Sequence, residues 1–228
     1  MASATEFDVE KADAVEVVTL FGVDWETYCQ LRDEPANDRV RMSYLDGTLT
    51  LMSPEYVHDQ GAELIGLLLR GGTSGLGLTI MGIRTTTLRK GKARRKGAGK
   101  EPDNAFYIGA NERRMRRKKS LDLAIDPPPD LAIEVDHTND SRLALPIYAR
   151  LGVPEVWRLE IPGHRLWFGR LEGEAYVEVD RSVALPRLTP ALVLHSLDVF
   201  DDGEMDENAW FDWVKAWALT LPEGPATA

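Results

Sequence analysis

The stretch PDLAIEVDH, Pro129 to His137, decides how this chain is read. In an extended segment successive side chains alternate between faces. Leu131, Ile133 and Val135 therefore share one side, while Asp130, Ala132, Glu134 and Asp136 share the other. The three prolines before Asp130 exclude regular helix, so the segment reads as a strand with one apolar face and one acidic face. The acidic face either meets water or, with carboxylates from elsewhere, holds a metal ion.

A second acidic signal lies upstream in GKEPDNAFYIG, residues 99–109, where Glu101 and Asp103 precede a strand-like apolar run. Two adjacent strands would bring Asp103 and Glu134 into one pocket. Mg2+ suits such a site, because it keeps several waters and takes only one or two carboxylates from a protein. An ion held there activates water and neutralises charge on a phosphoryl group. Spacing alone leaves the solvated strand and the metal site both open, and Asp130 reads as a turn residue at the start of its strand.

At 228 residues with 43% hydrophobic content, the chain can bury the core of one domain. The expected domain spans 20–219, with a flexible lead-in at 1–19 and a flexible tail at 220–228. Cys29 is the single cysteine and cannot form an internal disulfide, so a reducing, cytoplasmic setting is the expectation. The first residues lack a basic segment followed by an apolar run, and no later segment is apolar enough to span a membrane.

The net charge of −10 argues against a protein that coats nucleic acid indiscriminately. Charge is nevertheless uneven: 14 of the 27 basic residues lie between Arg84 and Lys119, against only Glu101, Asp103 and Glu112. Arg94, Arg95, Lys96, Lys100, Arg116 and Arg117 are the candidates for phosphate contact within this run.

Along the chain, VDWETYCQLRD has helical spacing with Asp24 as N-cap. Asp46-Gly47 joins two β-rich arms as a hairpin. YVHDQGAELIGLLLR carries one apolar helical stripe, and LTIMGIRTTTLR reads as a strand. KGKARRKGAGK has no hydrophobic pattern and reads as an exposed loop. Pro146 opens a helix that Gly152 closes, and PEVWRLE, HRLWFGRLE and AYVEVDRS follow as strands of a meander. Near the end, Trp210, Trp213, Val214 and Trp217 form a helical stripe that packs on the core or makes a homodimer contact.

The motifs VDWETY, YLDGTLTLMSPEYVHD, TTTLRKG, GKEPDNAFYI, DPPPDLAIEVD and LPIYARLGVPEVWR, in this order, resemble the Uma-two family of restriction endonucleases, within the PD-(D/E)xK nuclease superfamily. The resemblance implies an α/β (α+β) fold with a restriction-endonuclease-like core: a central mixed sheet flanked by helices, with a C-terminal β-meander and helix. It implies hydrolysis of DNA phosphodiester bonds with Mg2+ or Mn2+. On this pattern Asp103 and Glu134 look like metal ligands, Asp136 like an accessory acid, and His58 like a contributor from the first long helix. Glu63 reads as solvent-facing.

The sequence departs from the family at one place. The family draws its basic group from the helix a few residues before the Tyr of LPIY, and Ala144 stands there. Arg142 is the candidate substitute, whereas His137 points to the face opposite Glu134 on an extended strand. Two functions therefore stand: a metal-dependent nuclease, and a catalytically silent nucleic-acid-binding or interaction protein on the same scaffold.

Overall fold

The structure, a computed structural model, describes residues 17–52, 56–92, 94–137 and 140–224. Its first strands are β1 (Val17–Phe21), β2 (Arg41–Leu45) and β3 (Thr48–Met52). Asp46 (φ 44°) and Gly47 (φ 99°) both take the left-handed conformation that a tight two-residue hairpin needs, and this fixes the register of β2 on β3. β1 pairs with the other edge of β3 and takes in Val17, Val18 and Thr19, which the sequence reading leaves in the lead-in.

Between β1 and β2 lies α1 (Trp25–Asp33). Asp24 occupies its N-cap in an extended conformation but makes no side-chain cap; its carboxylate accepts instead from Arg95 Nε at 3.2 Å. The longer α2 (Tyr56–Gly75) follows the hairpin.

Two expectations need correction here. LTIMGIRTTTLR is not one strand: Arg84, at φ 49°, turns the chain, so that β4 (Ile80–Gly82) and β5 (Leu88–Gly91) join different sheets. Nor is KGKARRKGAGK an exposed loop throughout. Its ends belong to β5 and to β6 (Gly97–Lys100), and β6 is buried at every position. Pattern reading missed β6 because its apolar filling comes from another element. A Cβ on Gly97 would lie 2.4 Å from the Trp25 ring, and one on Gly99 would lie 2.1 Å from the Tyr28 hydroxyl. The rings of α1 occupy the space where strand side chains would stand.

Five strands thus form one sheet in the order β1-β3-β2-β6-β5. The second sheet adds β7 (Asn104–Ile108), β8 (Leu131–Asp136), β9 (Glu155–Glu160), β10 (Arg165–Glu172) and β11 (Ala175–Glu178), in the order β11-β10-β9-β8-β7-β4. It is mixed: β8 and β9 run parallel and the remaining pairs antiparallel. The fold is therefore the mixed α+β arrangement expected. The meander is continuous with the central sheet, because β9 pairs directly with β8.

Short α3 (Ala110–Met115) follows β7. The parallel crossover from β8 to β9 passes through a 3-10 turn at Ser141–Ala144 and α4 (Leu145–Leu151), with Pro146 in its first turn. α4 ends at Gly152, whose φ of 81° suits glycine. After the meander come α5 (Pro190–Asp201), capped by Thr189 and not foreseen from sequence, and α6 (Glu207–Thr220), capped by Asp206.

β8 separates two cores. Leu131, Ile133 and Val135 pack with Ile65, Leu69, Val193, Trp210 and Val214 on the side of α2, α5 and α6. Ala132, on the other face, packs with Ala98 of the first sheet and with Ala144, Ile147 and Tyr148 around α4. The Trp stripe follows the first of its two readings: Trp210 and Val214 are fully buried, and Trp213 and Trp217 stack on each other with ring centroids 5.4 Å apart. No helix of the described residues is long and apolar enough to cross a membrane.

Gly99→Ala would drive a methyl into Tyr28 and should destabilise the protein by about 1 to 3 kcal/mol, as overpacked cores do. Gly72→Ala, whose Cβ would meet only the Ala218 methyl at 3.9 Å, should leave stability unchanged or raise it by up to about 1 kcal/mol. Urea unfolding followed by far-UV circular dichroism checks both.

Candidate active site

All six residues of β8 are buried, so its acidic face is not a solvated outer surface. It faces the first sheet and α4 across a cleft of about 440 Å³. Ser43, Leu45, Thr50 and Met52 line the first-sheet side of the cleft, and Asp140, Ser141, Ala144 and Ile147 line the α4 side.

Antiparallel pairing places Asn104 opposite Ile133 and Ala105 opposite Ala132. Continuing that register by one residue sets Asp103 against Glu134, and both side chains line the cleft. Asp103 is anchored by the backbone N–H of Val135, which donates to its Oδ2 at 2.8 Å. β6 supplies a third charged group. Gly97 and Gly99 face α1, so Ala98 and Lys100 face the opposite way, toward β8. The Lys100 ammonium lies 3.2 Å from Glu134 Oε2 and donates to the Glu101 carbonyl at 3.1 Å. Tyr148 of α4 donates its hydroxyl to Glu134 Oε1.

Glu134 is 5% exposed at the wall of this cleft. Burial pushes its carboxyl up to about 7; Lys100 and the Tyr148 hydroxyl pull it down, and the Asp103 charge pushes it further up. Desolvation thus outweighs the ion pair, as expected for a carboxylate removed from water. Burial, reinforced by the same carboxylate, holds the Tyr148 phenol far above its usual range, so Tyr148 remains a donor.

Other sequence-predicted residues fall elsewhere. Asp136 lines the cleft, but its carboxylate is engaged by Arg158 Nη2 at 2.5 Å and by the Ser141 N–H at 2.9 Å. Arg158, itself buried, also donates to Ser141 Oγ at 2.7 Å and lies over the Trp167 ring. Arg142 is not brought to the cleft. Its side chain is 71% exposed, is held 2.6 Å from Asp140, and joins exposed His137 in a neighbouring polar groove. The His58 side chain lies outside the described residues. Glu63 is half-exposed beside Arg70 and Arg84. Glu101 faces the opposite side of β6 from Lys100, bound by Arg32, the Met42 N–H and Thr87. Asp130 accepts from the Ile108 N–H and from Asn111, both at 2.7 Å, which ties down the start of its strand.

The basic run divides. Lys100, grouped from sequence with the phosphate-facing surface, is 5% exposed and belongs to the cleft. Arg94, Arg95 and Lys96 form an exposed turn at the far end of the four-residue strand β6, about 13 Å along it from Lys100. Arg116, paired with Glu112 at 2.5 Å, and Arg117 are exposed beyond α3, past the end of β7 opposite Asp103. Sequence reading missed Tyr148 and Arg158 and the site role of Lys100. The usable signal for Lys100 was Gly-Ala-Gly-Lys, an alternation with a charge on the same parity as a small buried residue.

A buried acidic strand beside a second carboxylate-bearing strand, in a mixed sheet flanked by helices, is the architecture expected of a restriction-endonuclease-like core. Residues 25–199 match the Uma2 family, described as a putative restriction endonuclease, and the chain belongs to that family. No curated protein matches it.

The raised pKa of Glu134 has a sign that can be tested. An unfolded glutamate releases its proton near 4.5 and the folded one near 7, so between those values the folded chain retains the extra proton. Stability should therefore fall as pH rises through that window, by about 3 kcal/mol from this group, and change little above it. In urea unfolding, the loss of stability between acidic and mildly alkaline buffer should be smaller in Glu134→Gln than in wild type by about that amount.

Proposed function

We propose that this protein is a metal-dependent endonuclease that hydrolyses DNA phosphodiester bonds, with Asp103 and Glu134 as the ligands of Mg2+ or Mn2+. The observation that carries the reading is the register of β7 on β8, which turns the two carboxylates into one buried cleft. Their donor chemistry fits a hard divalent cation. Two neighbouring carboxylates, one with its proton affinity raised by burial and further by the other, are relieved by a positive charge between them. Among the described residues no three His, Cys, Asp or Glu side chains cluster as a metal cage. The set is thus of the sparse kind that Mg2+ uses, with remaining positions left to water and phosphate.

When bound, the divalent ion supplies an activated water and neutralises charge on the phosphate under attack. The chain's own residues do the positioning. The Val135 N–H fixes Asp103, and the Tyr148 hydroxyl fixes Glu134. Arg158 pairs with Asp136, so that acid is held apart from the two proposed ligands. Arg94, Arg95, Lys96, Arg116 and Arg117, exposed at the far strand ends, suit contacts to flanking phosphates that carry no sequence preference.

The second reading, a silent nucleic-acid-binding protein on this scaffold, is favoured by Ala144, which puts a methyl where the family carries a cation. Nicking of supercoiled plasmid separates the two. With Mg2+ or Mn2+ the wild type should cleave, and Asp103→Asn should be slower by about 100-fold or more, the scale of removing a positioned charged group from an active site. DNA binding that weakens with salt, without any cleavage by the wild type, would establish the silent reading instead.

A further inference from the structure

We infer that Lys100 is the catalytic cation of this nuclease, delivered from strand β6 to the place that a lysine at position 144 would fill from the helix side. The inference rests on the nuclease reading above. Ala144, 7% exposed, and Lys100, 5% exposed, line the same cleft from opposite walls, with Glu134 between the first sheet and α4. The Lys100 ammonium is 3.2 Å from Glu134 Oε2, so it already stands beside a carboxylate proposed to hold the ion.

Among the described residues that line the cleft, Lys100 is the one Lys or Arg. The guanidinium of Arg158 is committed to Asp136, Asp140 and Ser141, and that of Arg142 to Asp140 outside the cleft. Ammonium is also the suitable group. It is a compact point charge with three rotatable donors, able to keep Glu134 while turning an N–H toward a phosphate oxygen or the attacking water. The strand provides for this: Gly97 and Gly99 are filled by Trp25 and Tyr28 from one side, which holds β6 close and directs Lys100 to the other.

A purely structural lysine, present only to neutralise Glu134, would have different consequences, and two variants tell them apart. Lys100→Met keeps the length of the chain and removes the charge. In supercoiled-plasmid cleavage with Mg2+ it should lose about 100-fold or more in kcat with KM within about threefold of wild type. Calorimetry should show Mg2+ binding retained or tightened, since a neighbouring cation has been removed. Lys100→Met/Ala144→Lys, which places the ammonium on the helix side, should regain about tenfold or more over Lys100→Met. Cleavage by Lys100→Met within about threefold of wild type would overturn the inference while leaving the nuclease reading intact. So would a slow variant that has also lost Mg2+ binding or cooperative unfolding, and so would a double variant no faster than Lys100→Met. A wild type that cleaves no DNA with Mg2+ or Mn2+ would end the nuclease reading, and this inference with it.

Discussion

The fold is organised around the burial of Glu134 on the central strand. A carboxylate placed there costs several kcal/mol unless its surroundings supply partners, and the surroundings are assembled from three directions: Lys100 from the first sheet, Tyr148 from the crossover helix, and the neighbouring strand with Asp103. The small residues Ala98, Ala105, Ala132 and Ala144 let these elements approach closely enough to do so. A strand with an alternating apolar and acidic pattern would ordinarily lie at a surface. Here the first sheet covers the acidic side, and the covering makes an internal cleft.

The opposite face of the same strand does conventional work. Leu131, Ile133 and Val135 meet α2, α5 and α6 in the larger core, where Trp157 and Phe168 stack with centroids 4.0 Å apart. Burial of these apolar side chains favours folding and offsets the cost of the polar cleft on the other face. On the other face, the guanidinium of Arg158 reaches the carboxylates of Asp136 and Asp140 while lying over the Trp167 ring, 5.8 Å from its centroid.

Much of this was legible in the sequence. The Asp46-Gly47 hairpin, the α2 stripe, the proline-opened α4 and the two acid-bearing strands all carry local chemistry that determines local shape. The fold class was legible through the family resemblance, whose motifs run in order along the chain. What local chemistry could not reveal was burial by other parts of the chain. β6 has no hydrophobic side chain larger than alanine, so no periodicity betrays it, and Lys100 looked like one more member of a basic loop. Asp136 looked equivalent to Glu134 by parity; β9 sets Arg158 opposite Glu134, and only the reach of its side chain along the strand to Asp136 shows which acid it claims. Arg142 was the nearest cation in sequence to the helix position, yet Asp140, two residues away, holds it at the surface. The pairing strand could be anticipated; its partner across space could not.

The packing of α1 on β6 limits how this strand can vary over time. Gly97 and Gly99 are closed to any side chain by the rings behind them, and Ala98 is fully buried in the inter-sheet core, where a larger residue would collide with its neighbours. Of the four positions only the last opens into free volume. Mutational drift in β6 is therefore funnelled to residue 100, and a charge arising anywhere on that strand had one address at which it could survive.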